Sequence, residues 1–219
     1  YLIEVKMLTK LEDVLKSNKL DKVLADEEQG LLQLTKVIKA GTLYFKVQDD
    51  FHEGNGVYFS SEDESRFSVF DKSKGTMYLA ESPHTGLHEY FQDAKDEDGS
   101  FLDSSDLKSG CMAEIEIKKD FRVLNISKFS PHIDVPVAEL MVDKTIYSQT
   151  QQLAEKLSKK FDGMEYLSRQ NGERCLVLWS DNQGKEILSN KSVTHLVDYE
   201  HESVSARAML QQQCGIQIT

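Results

Sequence analysis

Proline is scarce, with 3 in 219 residues, and glycine is held to 12, which excludes a collagen-like chain and a Pro/Gly-rich disordered one. Cysteine is scarce too. Cys111, Cys175 and Cys214 are an odd number at no short paired spacing, which excludes a fully disulfide-bonded framework and a Cys-based zinc or redox motif. Buried thiols in a reducing compartment are the expectation, and no chemistry is assigned to them. Long hydrophobic runs are missing: blocks such as Cys175-Leu176-Val177-Leu178-Trp179 fall far short of the roughly 20 residues that span a bilayer. The first residues do not pattern as a basic leader followed by an apolar block, so a soluble chain is expected. Positive charge is in deficit, with 26 Lys and Arg against 37 Asp and Glu and a net charge of −11, a sign that repels nucleic-acid backbones and anionic lipid heads. Direct nucleic-acid and membrane partners are disfavoured, whereas a small anionic ligand needs only a few cations in a cleft. Also absent are a glycine-rich phosphate loop, a Gly-x-Gly-x-x-Gly turn, a His-Glu-x-x-His pair and a Gly-x-Ser-x-Gly elbow, so the commonest phosphate, dinucleotide, zinc and serine-hydrolase chemistries lack their motifs.

What is present suits a folding chain. Hydrophobic residues make up 39% and charged residues 29%, and the length fits one domain with a sizeable core. From Ile3 to Ile38, apolar residues recur at three-to-four spacing, first Met7, Leu8, Leu11, Val14 and Leu15, then Leu31, Leu32, Leu34, Val37 and Ile38; this predicts helices up to a terminating Gly41. Strands are predicted at 42–47, 57–59, 76–80, 112–117 and 123–126, where aromatic and branched residues concentrate. Ser82-Pro83 predicts a helix start for 83–91, because the hydroxyl caps free amides and the proline needs no amide hydrogen. Helices are also expected at 149–161 and 203–213. The strongest local signal is Asn171-Gly172 between strand-like 164–169 and 174–180, which predicts a hairpin.

Two candidate metal patterns dissolve on inspection. Asp96-Glu97-Asp98-Gly99 lacks the alternating oxygen ligands and later glutamate of a calcium loop, so 93–106 is read as a solvated loop. His84 and His88 lie four apart on one helical face with no third ligand nearby, and no metal is expected.

One constellation stands out. It joins Ser65-Arg66-Phe67, then Gly75 to Pro83 with Tyr78-Leu79-Ala80, then Leu87-His88-Glu89, and finally Asp162-Gly163-Met164-Glu165-Tyr166-Leu167-Ser168. Together these segments resemble the RES domain family, named for an invariant Arg, Glu and Ser. The resemblance covers roughly residues 41 to 182. It begins at Leu43-Tyr44, where the family has a Leu-Tyr-Arg strand, and Glu89 follows Tyr78 by 89 − 78 = 11 positions, as the family pattern requires. There is one departure: the arginine expected after Tyr44 is Phe45, with Lys46 one place later. Lysine supplies the charge without the planar fork. If the register matches the family, Phe45→Arg is expected to raise activity.

The resemblance implies an α+β fold, a single mixed-sheet domain similar to ADP-ribosyltransferases, with a helical extension over 1–40 packed on a catalytic domain over 41–219. It also implies an NAD+-degrading toxin, a phosphorylase or a glycohydrolase, restrained by an Xre-type antitoxin or an immunity protein. Such a protein acts in the bacterial cytoplasm or in the cytosol of a target cell. NAD+ is then substrate rather than cofactor, inorganic phosphate a possible co-substrate, and no metal is involved. Cleaving the nicotinamide–ribose bond builds oxocarbenium character that a carboxylate stabilises. The resemblance assigns that part to Glu89. It assigns pyrophosphate or phosphate binding to Arg66 and Lys46, nicotinamide stacking to Tyr78, ribose or phosphate orientation to Ser168, and a place on the ligand-binding strand to Tyr44. Side-chain alternation puts Tyr166 and Ser168 on one strand face, so the Ser168 hydroxyl is expected within about 10 Å of the Glu89 carboxylate. Two other readings remain open, a protein ADP-ribosyltransferase and a catalytically degenerate RES domain serving as an interaction module.

Overall fold

The computed structural model describes residues 10–219 except 50, 63, 93–94, 97–98, 142–143 and 185, and only the backbone of 95, 96 and 99–101. Among the described residues, no helix is long and apolar enough to cross a membrane. Two helices lead, α1 (10–16) and α2 (Lys19–Glu28). Their buried Leu11, Val14, Leu20, Val23 and Leu24 join a core with Phe129, Leu140, Leu153, Leu157 and Met164. The helical expectation up to Ile38 fails after Glu28, and residues 1–9 lie outside the described ones. The chain turns at Gly30 (φ +74) and continues as strand β1 (Thr35–Ile38). A buried carboxylate sets the reversal: Glu27 accepts from the Leu34 N–H at 2.8 Å, the Thr35 hydroxyl at 3.1 Å and Arg122 at 2.9 Å. Branched Thr35, Val37 and Ile38 then favour the strand.

Strands β2 (Leu43–Gln48) and β3 (Gly75–Ala80) follow, then α3 (Pro83–Tyr90), capped by Ser82. The expected strand at 57–59 forms only a bridge at Ser60 with Thr76. Side chains take the place of a neighbouring strand there: Gln183 bonds both the N–H and the carbonyl of Phe59, and Asn55 accepts from the Val57 N–H. Where a solvated loop is expected, the structure has β4 (Lys95–Asp96), β5 (Gly99–Leu102) and α4 (Ser104–Ser109), the last fixed by a reciprocal Asp103–Asp106 cap. Next come β6 (Cys111–Ile117), β7 (Phe121–Asn125), short helices α5 (Ile126–Phe129) and α6 (Val137–Leu140), and α7 (Tyr147–Ser158). The expected hairpin is β8 (Gly163–Leu167) with β9 (Arg174–Ser180). β10 (Leu188–His195), β11 (Glu200–His201), β12 (Val204–Ser205), α8 (Ala206–Gln212) and β13 (Gln217–Ile218) complete the chain.

The main sheet runs β1-β7-β8-β9-β3-β2-β6-β10, antiparallel except for the parallel β7–β8 pair. It is an α+β fold on one mixed sheet, and the sheet curls. One buried cluster draws Ile38, Tyr44, Met77, Ile115, Val123, Leu176 and Leu188 from seven of the eight strands and takes nothing from a helix. The other face is covered by α3 and α8 over Phe45, Val47 and Met112, and by α7 over Met164, Val177 and Trp179.

Candidate active site

The cleft exists because two neighbouring strands separate. β2 pairs with β6 at six positions from Leu43 to Gln48, but with β3 only at Phe45↔Ala80. Past that point Lys46 and Val47 leave Leu79 and Tyr78 unpaired across the gap, and a cleft of about 280 Å³ opens between them. The end of α3 with Glu89, the segment around Arg66, and Tyr147 at the start of α7 form its remaining walls.

Arg66 projects from a backbone pinned on every side. The Tyr78 hydroxyl accepts from the Phe67 N–H at 2.9 Å and from the Ser65 hydroxyl at 3.1 Å. From α7, Thr150 donates to the Arg66 carbonyl at 2.6 Å and Gln151 to the Ser65 carbonyl at 2.9 Å, while Trp179 Nε1 donates to the Phe67 carbonyl at 2.9 Å. Four long-range partners therefore hold three consecutive residues, and the guanidinium lies 5.5 Å from the centre of the Tyr147 ring, a cation–π geometry. Burial pushes the Tyr78 phenol up to about 12, against the hydrogen bonds from Ser65 and Phe67 and the nearby Arg66 charge. It stays protonated at neutral pH. Its hydroxyl is a post for the Arg66 loop, and its half-buried ring faces the cleft, edge-on to Tyr166 at 6.3 Å.

Glu89 is held from behind. The Ser168 hydroxyl, on a residue only 4% exposed, donates to Glu89 Oε1 at 2.5 Å and accepts from the Gln170 N–H at 3.1 Å. Ser168 starts the hairpin loop, which closes with its own N–H on the Glu173 carbonyl at 2.7 Å and with Gly172 at φ +76. The far end of the same loop grips the start of α3. Glu173 accepts from the Ser82 hydroxyl at 2.7 Å and the Thr85 hydroxyl at 2.6 Å and pairs with His84 Nε2 at 2.9 Å, and Asn171 donates to Thr85 at 2.8 Å. One loop thus fixes both the helix that carries Glu89 and the carboxylate itself. Beside it, burial first, and then the Glu89 charge, push the Cys175 thiol well above its ordinary value. Cys175 is a neutral thiol in the wall, not a nucleophile.

The structure brings Lys46, Arg66, Tyr78 and Glu89 into one cleft, with Ser168 behind Glu89 rather than on the lining. Ser168 donates to Glu89 and accepts from Gln170, so among the described contacts its hydroxyl grips the carboxylate. Tyr44 does not line the cleft. It is 4% exposed, buried inside the curl with Ile115 and Leu176. Phe45 itself is buried against Leu87 and Met112, edge-on to His201 at 5.3 Å. His84 and His88 serve different partners, Glu173 and the Gln213 carbonyl. Tyr147, Tyr58, Tyr90, Gln92 and Glu173 belong to the cleft or its supports, and no sequence motif marks them.

No curated protein matches the sequence. Among solved structures, a chain in the crystal structure of the M. tuberculosis MbcT-MbcA toxin-antitoxin complex is similar, with a TM-score of 0.55 and 12% sequence identity over 81% of this chain and 92% of that one. At that identity the likeness shows the fold. The RES domain, as a sequence family, matches residues 41–200, a span that contains Lys46, Arg66, Tyr78, Glu89 and Ser168, and on that match the chain belongs to the RES domain family.

Proposed function

We propose that this protein degrades NAD+ by breaking the bond between nicotinamide and ribose, with inorganic phosphate or water as acceptor. In this reading it acts as a toxin in a cytosol, its own or a target cell's, until a protein antitoxin of Xre type or an immunity protein restrains it. The observation that carries the reading is the Glu89 carboxylate, gripped at 2.5 Å by Ser168 at the edge of a cleft whose other wall carries Arg66. As the C1′–N bond breaks, its electron pair goes to the pyridine nitrogen and nicotinamide leaves neutral. The positive charge left on ribose is stabilised by a carboxylate that is already fixed in place and needs no reorganisation. A phosphate or water oxygen then bonds to C1′, and any proton it sheds passes to solvent. Arg66 and Lys46 supply cations for the pyrophosphate or the incoming phosphate. The ring of Tyr78 offers a face to nicotinamide. The shared fold with a chain of a toxin–antitoxin complex supports the toxin role and the protein partner.

Phe45 favours a second reading. An apolar side chain where the family carries arginine suits a catalytically degenerate domain kept for protein interaction. Incubating the purified chain with NAD+, with and without phosphate, and measuring nicotinamide release separates the two. Release is expected, and the product mass then distinguishes phosphorolysis, hydrolysis and transfer of ADP-ribose to a protein. A folded chain that releases no nicotinamide under any of these conditions overturns the enzymatic reading.

A further inference from the structure

The mouth of the cleft carries two large aromatic side chains that the core does not use. Tyr58 is 55% and Tyr90 37% exposed, yet both line the cleft. They reach it from different walls, Tyr58 from the pinned segment before Ser60 and Tyr90 from the last position of α3, where its ring packs edge-on to Phe91 at 4.7 Å. Aromatic faces left in water at a pocket rim are surfaces a flat ligand covers. At about 280 Å³ the cleft lies just below the range of small-molecule sites, roughly 300–1,000 Å³, so a dinucleotide with one ribose at Glu89 would extend its second base toward the mouth. Gln92, exposed and also lining the cleft, adds an amide with one acceptor and two donors, the complement of the N6/N7 edge of adenine.

We propose that Tyr58 and Tyr90 form a stacking subsite for the adenine base, with Gln92 at the base edge, so that the cleft prefers a dinucleotide to a mononucleotide. This rests on the NAD+ reading above, and the test keeps the two apart. Calorimetric titrations with adenosine 5′-monophosphate and with nicotinamide mononucleotide are made on the unmodified chain and on Tyr58→Ala, Tyr58→Phe and Tyr90→Ala, with NAD+ turnover measured in parallel. Stacking on one ring predicts that Tyr58→Ala weakens the adenine nucleotide about tenfold, at least five times more than it weakens the nicotinamide nucleotide, and that Tyr58→Phe restores binding. The KM for NAD+ rises with the same pattern. Equal weakening of both nucleotides, failure of phenylalanine to restore binding, or no adenine-nucleotide binding by the unmodified chain overturns the subsite. Adenine-nucleotide binding that depends on Tyr58 in a chain that never releases nicotinamide upholds the subsite and overturns the enzymatic reading instead.

Discussion

The Ser168 hydroxyl and the Glu89 carboxylate meet at 2.5 Å although 79 positions separate them in the chain. The one proton of the hydroxyl is committed to the carboxylate and Glu89 lines the cleft, so in the proposed mechanism Ser168 positions Glu89. Glu89→Gln is expected to abolish nicotinamide release while leaving the fold intact, because the substitution removes charge without creating a cavity. Ser168→Ala should lower kcat roughly ten- to a hundredfold, the equivalent of losing a hydrogen bond to a charged group, about 1.5–3 kcal/mol. Steady-state kinetics alongside thermal melts check both. An Glu89→Gln variant with full turnover removes the carboxylate from the mechanism.

The Arg66 guanidinium lies against the Tyr147 ring, and the contributions of the two can be separated experimentally. Arg66→Ala should raise the KM for NAD+ by about ten- to a hundredfold if its guanidinium meets phosphate. Tyr147→Phe preserves the ring face 5.5 Å from the guanidinium and should behave like the unmodified chain. Tyr147→Leu keeps the bulk but loses the cation–π attraction, so KM should rise several-fold with little change in melting temperature. Identical kinetics for Phe and Leu at 147 would show that the ring does not orient Arg66.

The parts of this molecule legible in its sequence are the locally encoded ones. Ser82-Pro83 starts a helix because cap and proline act within one turn, and Asn171-Gly172 closes β8 on β9 through a six-residue loop whose one left-handed position Gly172 fills. Side-chain parity then carries Tyr166 and Ser168 to one face, which is why the Ser168–Glu89 meeting is foreseeable. β10 is not legible. Its Ser189, Asn190, Lys191 and Ser192 sit at the sheet edge with a bulge and show no apolar alternation. β1 is misread because Leu34, Val37 and Ile38 fit helical spacing as well as a short strand, and Glu27, seven residues back from Leu34, decides between them. The Arg66–Tyr147 contact and the Glu173 grip on α3 depend on tertiary approach alone.

The burial of Phe45 sets a stability cost against the expectation that Phe45→Arg raises activity. Its ring is 5% exposed in the core under α3, beside Val47 and Leu87, although its edge reaches the cleft. An arginine there trades apolar packing for a buried cation and should destabilise the protein by about 3 kcal/mol or more. Denaturant titration of the variant checks this. An unchanged midpoint would mean that the side chain swings into the cleft and that the family arginine can be accommodated here after all.

Glu173 gives the support of α3 a pH dependence whose sign follows from its environment. Partial burial acts to raise its carboxyl, but hydrogen bonds from Thr85, Ser82 and His84, together with the His84 charge, outweigh that and hold it below the ordinary glutamate value. A carboxylate lowered in the folded state stabilises above its unfolded value, near 4.3, and loses that contribution as pH falls through the lower folded value. Glu173→Gln should therefore lower the melting temperature at pH 7, and the gap to the unmodified chain should close as the pH is taken below about 4. Activity should fall with it at neutral pH, since Ser82 and Thr85 at the start of α3 exchange a charged acceptor for a neutral one, His84 loses its carboxylate partner, and Glu89 rides on the same helix. The side chain is 40% exposed, so solvent screens the effect and the gap should be modest. Melting curves for both proteins at pH 7, 5, 4 and 3 decide the matter: a gap of constant size across that range would mean that Glu173 acts by shape rather than by charge.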